Sequence, residues 1–247
     1  MFVYVGLPVG FGALHAHRAG YTRRMRAVLW VAGPALALWA LAGLVVRHKV
    51  SHAYCLPPFL AALIASAVLP AIAPTSYDWR LWLLKETVHT VLAFALGLEL
   101  AWRLFRNLPG AALVARVIVL AVLAGTAAIV ATAPLGQVPI ADLSVVVLPR
   151  MIVGLAWLYF GIAMATAFFL MPEDALHEAL LVTLPGYFML YAVVSAGLTR
   201  DLVRGVADYG LPLLWLVVLL VIGRAAWAHH DVPDAPPPLL RLLWPWR

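Results

Sequence analysis

Residues 79–105 read WRLWLLKETVHTVLAFALGLELAWRLF, and this run decides the fold class. As a helix it is ~40 Å long at 1.5 Å per residue, more than the ~30 Å hydrocarbon core of a bilayer. Its ionisable residues are Arg80, Lys85, Glu86, His89, Glu99 and Arg103. Charged groups at bilayer depth are costly and face a bundle interior or a wet cavity, so they are the first site candidates. The midpoint of the run is near Leu92, which puts Glu86 and Glu99 ~10 Å to either side of it. Thirteen residues separate the two acids. At 3.6 residues per turn they stand more than 90° apart and cannot act as one carboxylate pair.

Six further apolar windows lie around this one, at residues 27–46, 54–73, 112–133, 148–170, 176–198 and 210–228. Hydrophobic residues make up 65% of the 247-residue chain and charged residues 11%. Water-soluble domains sit nearer half and a quarter, so the class is all-α, a polytopic transmembrane helix bundle. Seven spans are expected, or eight if residues 1–14 also cross; as a helix those give only ~21 Å. Residues 1–228 read as a single transmembrane helical domain. Residues 229–247 read as a Pro-rich tail whose Trp244 and Trp246 form an interfacial anchor. The opening MFVYVGLPVGFGAL has no positive charge before its apolar run, unlike a cleaved signal peptide.

The net charge of +6 comes from 17 Lys and Arg scattered over loops and helix ends. Such scatter serves topology and headgroup contact, so lipid is the expected partner and nucleic acid is not. Arg18, Arg23, Arg24 and Arg26 are expected to form a cytoplasmic loop of a bacterial inner-membrane protein by the positive-inside rule. The lone Cys55 gives no intramolecular disulfide.

Depth suggests partners for the buried acids. The link RNLPG at residues 106–110 turns the chain back on itself, so Glu99 and Arg116 fall level and are expected to pair, with Arg103 one turn from Glu99. Glu86 falls near the depth of Arg150, with His89 a turn deeper. These residues define either a proton or cation path or a set of ion pairs that locks helices in register.

A second group sits at the opposite membrane face: His48 and His52 at i, i+4, Cys55 beside them, and His177, His229 and His230 on the same side. Imidazoles with a thiolate could bind zinc or copper, although no HExxH or CxxC accompanies them. The sequence identifies no cofactor. Haem would call for two facing intramembrane histidines, and only His89 is at depth. Lys49 and Lys85 are the only lysines, and neither lies mid-span in a late helix as retinal would require.

Small residues mark helix contacts. Ala121, Ala124, Gly125 and Ala128 form one face, and Gly154, Gly161 and Ala165 another; both are expected to pack within the bundle. Gly33-Pro34 and Pro185-Gly186 read as simple kinks. In MPEDALHE, Pro172 suits a first helical position, and Glu173 and Asp174 suit a helix N-terminus.

The stretch KETVHTVLAFALGLELAWRLFRN resembles a helix of uncharacterised multi-pass proteins of bacterial membranes. There a Glu opens the span, a second Glu follows thirteen residues on, and an aromatic-plus-Arg end closes it. Glu86, Glu99 and the run Trp102-Arg103-Leu104-Phe105-Arg106 match, and Arg150 fits as a later Arg at the head of a span. Here Arg103 follows Glu99 by four residues rather than three. The resemblance implies topology and carries no activity.

With no nucleotide-binding or hydrolase motif present, the expected function is a non-enzymatic integral membrane subunit: a scaffold, accessory or sensory component of a membrane complex. The alternatives are a small proton-coupled transporter using Glu86, His89 and Glu99, and a membrane-embedded enzyme acting on lipid.

Overall fold

The computed structural model describes residues 16–72, 79–105, 109–132, 143–169, 174–195 and 209–228. Within them the regular structure is entirely helical. There are seven α-helices: α1 Ala16–Val46, α2 Leu56–Ile72, α3 Trp79–Phe105, α4 Pro109–Ala131, α5 Leu143–Phe169, α6 Ala175–Ser195 and α7 Leu211–Trp227. A short 3-10 turn, Lys49–His52, sits between α1 and α2.

Four helices are long and apolar enough to cross a membrane, over Arg80–Phe105, Leu113–Ala131, Val147–Phe169 and Ala175–Ser195. They mark the chain as a membrane protein. The 17-residue helices α2 and α7 reach only ~26 Å, and the apolar part of α1 is Val31–Val46. Arg18, Arg23, Arg24 and Arg26 were expected in a loop but lie on the first turns of α1, which begins at Ala16. Residues 1–14 and the tail from 229, with His229 and His230, lie outside the described residues, as do Pro172 and Glu173.

Helices α1, α2, α3, α5, α6 and α7 touch in that order and close into a ring, with α7 returning to α1. The main core fills the ring with Leu44, Leu56, Leu60, Leu96, Leu155, Tyr159, Leu184, Phe188, Trp215 and Leu219. Helix α4 stands outside, against α5 and α3, over a smaller core of Phe105, Ala115, Leu158 and Ile162. Only 11% of the α4 window is buried, against 50% for α3 and α5, which fixes α4 as the peripheral helix.

Glycine sets two of the closest approaches. A Cβ on Gly43 of α1 would collide with the Trp227 ring of α7, and one on Gly223 of α7 with the Trp39 ring of α1. The two tryptophans therefore lie across each other's helix, and Trp227 Nε1 donates to the Trp39 carbonyl at 3.0 Å. The α5 glycines meet α4 as expected: Gly154 lies under Thr126 and Gly161 under Ile118. The α4 small face does not. Ala121, Ala124, Gly125 and Ala128 are all exposed, because α4 turns Ala115, Ile118, Val122 and Thr126 toward the bundle instead. Pro34 and Pro185 lie inside α1 and α6, and both helices run on past them.

Gly223→Val is expected to lower stability by about 1–3 kcal/mol, because the Trp39 ring has no room for a larger neighbour. Thermal unfolding in mild detergent, compared with Gly186→Val, where nothing lies within 4 Å of the added carbon, checks this.

Candidate functional site

Polar side chains gather in two places. The first is the end of the bundle where the α1–α2 connection, the end of α3, the start of α6 and the end of α7 meet. Helix α1 stops because His48 takes a left-handed conformation, with φ at 54°. The chain then folds back into the end of the bundle, burying Lys49 and Ala53. Lys49 Nζ donates to the Ala225 carbonyl of α7 at 2.9 Å. Burial pulls the Lys49 ammonium below its usual pKa, which Asp174 partly offsets and Arg47 reinforces.

Glu99 holds this connection in place. Its Oε1 accepts the Tyr54 N–H and its Oε2 the Cys55 N–H, each at 2.6 Å. These are among the free backbone donors at the start of α2, where a negative charge is favourable. Arg103 Nε donates to Glu99 Oε1 at 2.7 Å, and the Arg103 guanidinium also reaches the Ser51 carbonyl at 2.5 Å and lies 4.7 Å from the centre of the Tyr54 ring. The expected Glu99–Arg116 pair does not form. Arg103, four residues on, and the backbone of α2 reach the carboxylate first, and Arg116 is exposed on the peripheral α4.

Asp174 closes the same end from α6. Its Oδ1 accepts the His177 N–H at 2.8 Å, a helix cap, and lies 3.1 Å from His177 Nδ1. Its Oδ2 lies 2.8 Å from His52 Nδ1, and His177 Nε2 points to the His52 carbonyl at 3.1 Å. Burial alone would raise the Asp174 carboxyl, but the hydrogen bonds and charge of His177, with His52, hold it well below the usual carboxylate range.

His52 and His177 are therefore together, as the sequence suggested, but the arrangement is a clasp. Both His177 nitrogens face protein oxygens, His48 is exposed, and Cys55 lies beside Glu99. Among the described residues no three His, Cys, Asp or Glu side chains are grouped to hold a metal ion. The His48–His52 spacing misled because α1 ends before it. The signal for the clasp was Asp174 three residues before His177, an N-cap spacing.

The second place is the inward face of α3. Glu86 is 1% exposed and His89 2%. Lys85 Nζ lies 2.8 Å from Glu86 Oε1 but outside hydrogen-bond geometry, and both Glu86 oxygens lack a hydrogen-bond partner among the described residues. Trp82 Nε1, His89 Nδ1 and Thr90 Oγ1 are in the same state. The hydrogen bond from Tyr159 Oη to the Ala93 carbonyl, 2.8 Å, sets the register of α5 on α3. That register puts Arg150 within a turn of the Glu86 level, and Arg150 is half-buried with contacts of its own. Beside His89 and Thr90 is a cavity with about 10 Å³ open to the centre of a water molecule, walled by Phe59, Leu63, Ala93, Leu155, Tyr187, Phe188 and Trp215. The Phe59 ring meets His89 edge-on at 6.4 Å.

Comparison with protein-family models, curated proteins and solved structures finds no match.

Asp174→Ala is expected to cost about 1–3 kcal/mol at neutral pH. The folded-state pKa of Asp174 lies below its unfolded value of ~3.9. Its stabilisation is thus present above ~pH 4 and is lost as pH falls through the folded value. Unfolding midpoints of the two proteins should differ at neutral pH and converge in strong acid.

Proposed function

We propose that this protein is a seven-helix, non-enzymatic subunit of a bacterial inner-membrane complex, a scaffold, accessory or sensory component docked to its partner through α4. In this orientation the Arg18–Arg26 end of α1 and the Trp79 end of α3 face the cytoplasm, and the clasp faces outward. Helices α1, α2 and α7 would complete the span together with the clasp and the headgroup layer.

The observation that carries the reading is the outer face of α4. It exposes Ala121, Ala124, Gly125 and Ala128, and no atom lies within 4 Å of a Cβ placed on Gly125. Small residues let membrane helices approach closely. Arg116 is exposed on the same helix, ~10 Å along from its start, where a bare cation is costly. The complementary partner is a transmembrane helix with its own small-residue face; Arg116 stands well over 90° around α4 from the centre of that face, so its carboxylate comes from a second element of the same partner.

A small proton-coupled carrier is the second reading, favoured by the Glu86 and His89 atoms that lack a hydrogen-bond partner among the described residues. Glu99 is engaged in the clasp, so such a carrier would use Glu86 and His89 alone. It requires flux in liposomes that Glu86→Gln removes. A lipid-acting enzyme draws no support from the clasp, where His52, Asp174 and His177 bond to one another.

For the subunit reading, Gly125→Leu is expected to dissolve a larger assembly seen by sizing in mild detergent, while leaving thermal unfolding of the protein unchanged. Arg116→Gln is expected to weaken the same assembly. An assembly indifferent to both changes, or a wild-type protein that is monomeric in lipid, sinks the reading.

A further inference from the structure

Trp82, Glu86, His89 and Thr90 stand at i, i+4, i+7 and i+8, one side of an α-helix. Five of their polar atoms are sealed inside the protein without a hydrogen-bond partner among the described residues. Buried polar atoms are ordinarily paired, and a row of unpaired ones at bilayer depth is kept where the groups do something. The row starts a few residues from the Trp79 end of α3 and stops at the cavity beside Thr90.

Beyond the cavity the described residues of α3 are closely packed. Ala93, Leu96 and Leu100 are buried, Gly97 lies against Leu158 and Tyr159, and the Tyr159 hydroxyl closes on the Ala93 carbonyl. At the far end Glu99 is held by Arg103 and the start of α2. Among the described residues the polar row therefore lies toward the Trp79 end of the bundle.

Among the described residues the groups facing Glu86 are few. Lys85 comes from its own helix, at 2.8 Å. Tyr187 and Tyr191 of α6 are within electrostatic reach of it. Arg150 of α5 stands at a similar level. Helix α2 offers His89 the backbone of Ala62 and the ring of Phe59, and α7 offers the Trp215 ring to the cavity wall. The cavity has about the size of one water molecule.

We propose that Trp82–Glu86–His89–Thr90 is a one-sided proton-binding site, in which Glu86 exchanges a proton with the Trp79 end of the bundle and nothing passes to the clasp end. On uptake an O–H bond forms on a Glu86 oxygen and one breaks in a hydronium ion at that end; the carboxylate becomes neutral, and no electrons change hands. His89 Nδ1 and Thr90 Oγ1, three and four residues on along the same side of α3, are the next polar atoms of the row and line the cavity. This rests on Glu86 and not on α4. It adds a stimulus to the subunit reading, and the two can fail separately, because Gly125→Leu reads docking and Glu86 variants read protonation.

The test uses the full chain in liposomes, followed by infrared difference spectroscopy as the pH is lowered. A carboxylic-acid carbonyl band should grow as pH falls and move in heavy water. It should vanish in Glu86→Gln and stay in Glu178→Gln, an exposed acid on α6. If Glu86→Gln does not fold, a shifted band in Glu86→Asp carries the assignment. No such band in the wild type, or one that survives Glu86→Gln, overturns the proposal. Changing pH on one face of the liposome at a time should alter tryptophan fluorescence from one face only, with no Glu86-dependent proton flux. Equal responses from both faces, or such flux, would overturn its one-sidedness.

Discussion

The capping of α2 by Glu99 is the interaction on which the clasp end of the bundle depends. A helix that starts inside an apolar bundle must place its first backbone donors without help from water. Here each has a destination. Tyr54 and Cys55 donate to Glu99, Leu56 donates to the Ala53 carbonyl, and Pro57 and Pro58 have no N–H to place. Phe59 then makes the first regular bond, to the Cys55 carbonyl. Because the donors are accounted for, α2 can begin below the end of α3, and a 17-residue helix suffices. The connection from α1 fills the space above, with Lys49 buried against α7.

The second acid of α3 lives under the opposite condition. Glu99 has two backbone donors and an arginine; Glu86 has a lysine beside it in sequence and no hydrogen bond among the described residues. Removing one partner of a buried pair is expensive because the other charge is stranded. Evolution can keep a poorly partnered acid only where it gains something else. That contrast runs along one helix: the acid at the clasp end is held by several partners, and the acid near the Trp79 end has no hydrogen bond among the described residues.

Helix α4 completes the division of labour. Its apolar outer face could have been buried in the ring, but the larger side chains Ile118, Val122 and Thr126 fill the groove over Gly154 and Gly161. The small face is left to the membrane or to a partner. Small residues attract a helix only where one comes within reach, and their spacing does not say which neighbour it will be.

Much of this was legible in the amino-acid order. Apolar length predicted the helical class and the approximate windows, because a bilayer allows few alternatives. The inward position of Glu86 and His89 followed from the cost of exposing them to lipid. What only the tertiary structure decided was partnership. Glu99 chose Arg103 and the start of α2 over Arg116, the His48–His52 spacing dissolved where α1 ended, and α4 took the outside of the ring. Periodicity and depth fix how far a residue lies along a helix and which way it faces. They do not fix which helix stands opposite, and for a charge in an apolar interior that neighbour determines the chemistry.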